Sequence, residues 1–296
     1  MRRVPVTTVV RKALVLATVL AGGLVAACAE ATLDAVDATA TIRERRSRRF
    51  ERAALVKPRM EADAGLDPYL APLLYLERND DAGAVDQSDR DVPGTVSADR
   101  AGRLMVDVSQ PAVYFADTLA EIGERPLRQI TFVWFRQADD DADSQAQGLR
   151  VTFDEVQQPA LIEVFADASG ARVVFVSERL EAQAAEVYGA AGPEQSYAVE
   201  RPGEGTVVVA GTFGVGPIAS GPIAYLPRDG VEVSQVHCRC EPSQVGDIDV
   251  TIDYELLPLG VLNGLWPRSD GSPSARDGWG PPDAAMTRLR VLWTER

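Results

Sequence analysis

The residues best equipped for chemistry stand together at His237-Cys238-Arg239-Cys240, which joins the only histidine of the chain to two of its three cysteines. Two thiolates and an imidazole suit zinc or cuprous copper. The spacing is Cys-x-Cys, however, where structural zinc sites use Cys-x-x-Cys and four ligands. Copper carriers also favour methionine, and beyond the first residue only Met60, Met105 and Met286 are present. A second reading is thiol–disulfide chemistry in an oxidising compartment. On a regular strand alternate Cα atoms lie about 6.5–7 Å apart, the outer limit of disulfide geometry, so oxidation here requires a bulge or strain. The reading the pattern favours is two buried structural thiols, because Val236, Cys238 and Cys240 alternate onto one face of a strand. A hairpin with the next strand, Arg239 opposite Asp249, places both cysteines with Ile248 and Val250. His237 and Arg239 then point with the acidic row Asp247, Asp249, Asp253 and Glu255. A slip of one residue would bring the cysteines to the carboxylates instead.

Other chemistries are bounded by what is scarce. Lysine occurs only at Lys12 and Lys57, so a phosphate-loop NTPase, a kinase-type fold and a Schiff-base enzyme each lack their central residue in the body of the chain. One histidine excludes His-Glu-x-x-His peptidases. There is no Gly-x-Ser-x-Gly, and a Ser-His triad would have to use His237. Asp139, Asp140, Asp141 and Asp143 resemble the start of a calcium loop, but Ser144 replaces its glycine and Arg150 its closing glutamate. Gly211-Thr212-Phe213-Gly214-Val215-Gly216 has the wrong spacing for a dinucleotide fingerprint and reads as a loop or bulge. A carboxylate pair for hydrolysis has no fixed spacing and stays open as an alternative.

The elements that must carry these residues are mostly strands. Period-two runs occur at 112–115, 129–135, 149–153, 161–166, 172–176, 206–210, 231–240 and 247–256. Asp167-Ala168-Ser169-Gly170 predicts a tight turn between two of them. One helix is expected over 178–188, capped by Ser177 and stopped by Gly189, with Leu180, Ala184, Val187 and Tyr188 on its apolar face. The fold class is therefore α+β: a mainly antiparallel sheet or sandwich with one helix, preceded by a helical or flexible stalk. The expected organisation is a signal at 1–27, a stalk at 28–65, a polar linker at 66–103, the β-rich domain at 104–263, and a Gly/Pro-rich loop with a closing strand at 264–296.

The amino terminus reads as an address. Arg2, Arg3, Arg11 and Lys12 precede an apolar and small-residue run from Ala13 to Ala27. That run is shorter than the roughly 20 residues of a spanning helix and has the anatomy of a secretory signal. Its end, Val25-Ala26-Ala27-Cys28, resembles the lipobox of bacterial lipoproteins. The resemblance implies cleavage between Ala27 and Cys28, lipidation of Cys28, and a membrane partner held through that anchor. Ala29 in place of aspartate points to the outer membrane in a two-membrane cell. Arg43, Arg45, Arg46, Arg48, Arg49 and Arg52 form a basic stripe near the anchor that could rest on anionic headgroups, or simply line a solvated helix.

The chain carries a net charge of −14, and more once the basic signal is removed, which argues against nucleic acid as a partner. The expected function is a lipid-anchored, non-catalytic envelope protein without a cofactor that binds an envelope protein or supports the envelope. The alternatives are a metal-handling or thiol-redox lipoprotein using His237, Cys238 and Cys240, and a carboxylate-dependent hydrolase.

Overall fold

Alternation of large apolar residues with polar or small ones turns the body of this chain into strands, and their right-handed twist curls the resulting sheet upon itself. The computed structural model describes residues 42, 44, 49–60, 65–78, 91–100, 104–122, 125–137, 145–165, 172–193, 195–200, 207–228 and 233–262. In chain order the strands are β1 (Phe50–Pro58), β2 (Leu73–Glu77), β3 (Gly94–Ala98), β4 (Leu104–Ile122), β5 (Arg125–Arg136), β6 (Gln145–Phe153), β7 (Pro159–Phe165) and β8 (Arg172–Ser177). Helix α1 (Glu178–Tyr188) follows, then β9 (Val207–Phe213), β10 (Pro222–Leu226), β11 (Gln235–Cys238) and β12 (Val245–Pro258).

The order across the sheet is β11-β10-β2-β1-β12-β4-β5-β6-β7-β8-β9, with β3 added to β4. The pairings β1–β12, β2–β10, β4–β12 and β8–β9 are parallel, and the others are antiparallel. The result is one mixed, nearly closed, barrel-like sheet rather than a sandwich. Its two ends meet where Gly214, just after β9, donates its N–H to Glu241 Oε1, just after β11, at 2.7 Å.

The inside of the curl is a packed apolar core. Ile130, Phe132 and Trp134 of β5 face Leu149, Val151 and Phe153 of β6, and the layer continues through Ile162, Val164, Val173 and Phe175. Phe132, Trp134 and Phe175 are fully buried. The indole Nε1–H of Trp134 finds its acceptor inside, Gln147 Oε1 at 2.9 Å. Burial of each large aromatic side chain stabilises the fold by about 2–3 kcal/mol. On the outside, α1 packs Leu180 and Ala184 on Leu161, Val174, Val176 and Val209.

The expected helix has its expected ends: Ser177 Oγ accepts from Leu180 N at 3.1 Å, and Gly189 follows with φ 85°. Val187, expected on its apolar face, is instead exposed, while Tyr188 packs at the margin of the cluster. The strands β7 and β8 pair antiparallel. The turn expected between them lies outside the described residues, as do the aspartates Asp139 to Asp143 and the closing strand near 289–293.

Two expectations about organisation are corrected. Residues 50–58, expected in the stalk, form β1 between β2 and β12, and residues 73–77 and 94–98, expected in the linker, form β2 and β3. The reason for β1 is that small Ala53 and Ala54 fill buried positions, which weakens the alternation that marks strands elsewhere. Within the expected stalk, Ile42 is helical and buried in the main core.

The second correction is the register of the cysteine segment. β11 pairs with β10, Ile223 opposite His237, while β12 lies between β1 and β4. The acidic row of β12 therefore faces the basic residues of β1. Arg52 donates to Asp249 Oδ1 from Nε at 2.9 Å and from Nη2 at 2.7 Å, and Lys57 Nζ lies 2.9 Å from Asp253 Oδ1. Neighbouring strands with opposite charges settle the pairing that a β11–β12 hairpin would have required Arg239 to supply.

Candidate functional site

The segment His237-Cys238-Arg239-Cys240 lies at the seam where the two ends of the sheet meet. β11 stops at Cys238, and Glu241 N donates to the Cys238 carbonyl at 3.0 Å, so the chain turns over 238–241. The turn brings the Cα atoms of Cys238 and Cys240 to 5.1 Å, and the two are joined by a disulfide. This corrects the expected pair of buried thiols: a turn replaces the regular strand on which they would have stood about 6.5–7 Å apart. Cys238 is 8% exposed, while Cys240 stands at the surface. The backbone N–H of Cys240 points at Cys238 Sγ at 3.1 Å.

His237 lies on the outer face, half buried and fixed at both ring nitrogens. Nδ1 is 2.6 Å from Glu241 Oε2, and Nε2 is 3.0 Å from Gln235 Oε1. Its ring meets Tyr225 edge-on at 5.3 Å, and Tyr225 stacks on Tyr75 at 5.3 Å. Burial pushes the Tyr225 phenol above its usual pKa, against the hydrogen bond that its oxygen accepts from Gln244 N. Both ring nitrogens thus face side-chain oxygens, which fixes the orientation of the ring.

Arg239, expected to face the acidic row, turns toward the end of the barrel and donates Nη2–H to the carbonyl of Ala71. Burial pulls its guanidinium pKa down, opposed by Tyr254, Tyr69 and Asp67. Tyr254 is wholly buried and donates its hydroxyl to Pro72 O at 2.8 Å.

The glycine-rich run after β9 completes the site. A Cβ at Gly216 would stand 3.3 Å from Cys240 Cβ, and one at Gly214 would stand 3.8 Å from Cys240 Sγ. Beside the disulfide lies a shallow, solvent-open depression whose walls include His237, Cys238, Phe213, Val215 and Ile218. Ile218 is 77% exposed and Val215 37% exposed.

The sequence singled out His237, Cys238 and Cys240 as a group, and the structure keeps them together but redirects their chemistry. With both sulfurs bonded to each other, neither is a thiolate ligand. Among the described residues, no group of three or more His, Cys, Asp or Glu side chains is placed to hold a metal ion. Glu241 and Gln235 escaped the sequence reading. Their signal was Gln235 two positions before His237, on the same strand face, and an acid one turn after it.

Of the basic stripe, Arg52 belongs to β1 and is tied to Asp249, and Arg49 is exposed. Arg43, Arg45, Arg46 and Arg48 lie outside the described residues, as do Ala27 and Cys28. No described helix is long and apolar enough to cross a membrane. Compared with family models, curated proteins and solved structures, the chain matches none.

Proposed function

We propose that this chain is a bacterial lipoprotein: cut before Cys28, lipidated there, and held on the envelope membrane with its barrel-like domain as a binding or structural module. The address rests on Val25-Ala26-Ala27-Cys28 and the basic and apolar segments before it. A binding or structural module is supported by the filled core: Phe132, Trp134, Phe153 and Phe175 occupy the interior, leaving the outer surface for recognition. Ala29 favours the outer membrane in a two-membrane cell, and the acidic charge favours a protein partner over nucleic acid. The test is labelling of growing cells with radioactive palmitate, followed by membrane fractionation. The wild-type chain incorporates label and sediments with membranes. A Cys28→Ala chain does neither, and equal labelling of both would refute the anchor.

A further inference from the structure

We propose that Cys238–Cys240 is an exchanging disulfide that oxidises pairs of cysteine thiols flanked by apolar residues in peptide segments. This goes beyond the role of a binding or structural module and does not depend on the anchor.

Four observations converge at the site. The bond closes a ring across a single intervening residue, on a turn at the surface rather than across the core. Its two sulfurs are inequivalent: Cys240 is exposed and Cys238 is buried, so a nucleophile meets Cys240 first. The sulfur that must leave is provided for, because the Cys240 N–H is already aimed at Cys238 Sγ at 3.1 Å. A backbone donor at that distance stabilises a thiolate. Finally, the depression beside the disulfide is rimmed by exposed Val215 and Ile218, a surface for apolar side chains that flank a substrate cysteine.

The chemistry balances as two successive displacements. A peptide thiolate attacks Cys240 Sγ; a new sulfur–sulfur bond forms, the Cys238–Cys240 bond breaks, and its electron pair leaves on Cys238 Sγ. The second thiolate of the same peptide then attacks the peptide sulfur of this mixed disulfide, and Cys240 leaves as a thiolate. The peptide gains a disulfide and loses two electrons and two protons, which the two cysteines take up as thiols. The glycines at 214 and 216 keep Cys240 open to this attack, since side chains there would lie over it.

The experiment mixes the oxidised, purified chain with an equimolar synthetic peptide carrying two cysteines among valines and leucines, and follows both masses after acid quenching. The peptide loses 2 Da (about two hydrogen masses) as the protein gains the same. For the direction of attack, each reduced single-cysteine variant is offered the oxidised peptide. Cys238→Ser captures it as a mixed disulfide at Cys240 at least about tenfold faster than Cys240→Ser does at Cys238, following their exposure. Gly216→Val leaves both cysteines in place and slows the wild-type exchange about tenfold or more by covering Cys240. The proposal is overturned if the folded wild-type chain oxidises no peptide in an hour at neutral pH, or if capture is faster at Cys238. The same assay on Cys28→Ala, which cannot be lipidated, separates failure of this site from failure of the anchor: exchange persists in that chain.

Discussion

Glu241 holds His237 Nδ1 with one carboxylate oxygen, at 2.6 Å, and the Gly214 N–H with the other, at 2.7 Å. One side chain thus fastens the turn that carries the disulfide and ties the two ends of the nearly closed sheet. Charge-assisted hydrogen bonds of this kind contribute about 1.5–3 kcal/mol each when shielded, and less where water competes.

Replacing Glu241 by alanine is therefore expected to lower unfolding free energy by about 1–2 kcal/mol, measured by urea denaturation. Glu241→Gln, which keeps an acceptor for Gly214, recovers part of that loss. An alanine variant as stable as wild type would show that the seam is held by other contacts.

Tyr254 should resist ionisation, because complete burial pushes its phenol well above the ordinary tyrosine value, with Arg239 pulling the other way. Tyr114 and Tyr225 are raised by burial as well. The folded chain thus binds these protons more tightly than the unfolded chain. Their stabilisation is whole below about pH 10 and is lost as pH rises from there through the folded-state values. Urea midpoints measured from pH 8 to 11 should fall above pH 10, and more shallowly in Tyr254→Phe. That variant also loses about 1 kcal/mol at neutral pH, as the Pro72 carbonyl loses its donor. A midpoint constant to pH 11 would contradict this.

Arg150 and Glu163 form an ion pair on neighbouring strands with side chains 6% and 1% exposed, and Arg150 also lies over the Phe165 ring at 4.9 Å. Removing one partner takes a hydrogen-bonded charge out of a buried pair, so Glu163→Ala should cost about 3 kcal/mol. The double replacement Arg150→Met/Glu163→Leu should return most of it. A double variant no better than the single would mean that cavity formation, not charge, sets the cost.

Arg52 separates two readings of the basic stripe. Its bond to Asp249 predicts that Arg52→Ala lowers stability by roughly 0.5–1 kcal/mol and leaves binding of the chain to anionic vesicles unchanged. Loss of vesicle binding with unchanged stability would return Arg52 to the membrane-facing stripe.

The sequence was most legible where one physical signal ruled alone. Strands β5 to β8 are dense in β-branched and aromatic residues, and α1 has both a cap and a glycine stop, so their places could be read directly. β1 was hidden because alanine supplies two of its buried positions, and β10 because it is only five residues long and opens on a proline. At Gly221 a Cβ would run into the Leu70 carbonyl oxygen, so that glycine marks a close crossing of backbones. The site was legible as a group but not as chemistry. The expected pair of buried thiols required a strand continuing to residue 240, and it ends at 238. Pairing of β12 with β1 rather than β11 depends on contacts across nearly 200 residues, such as Arg52 with Asp249, which no local pattern announces.

The anchor is tested most directly by the intact mass and amino-terminal peptide of the chain extracted from bacterial membranes with detergent. The mature chain is expected to begin at Cys28, with acyl groups on that residue and the Cys238–Cys240 pair oxidised. A chain that retains residues 1–27, or one cut elsewhere with Cys28 unmodified, would contradict this expectation.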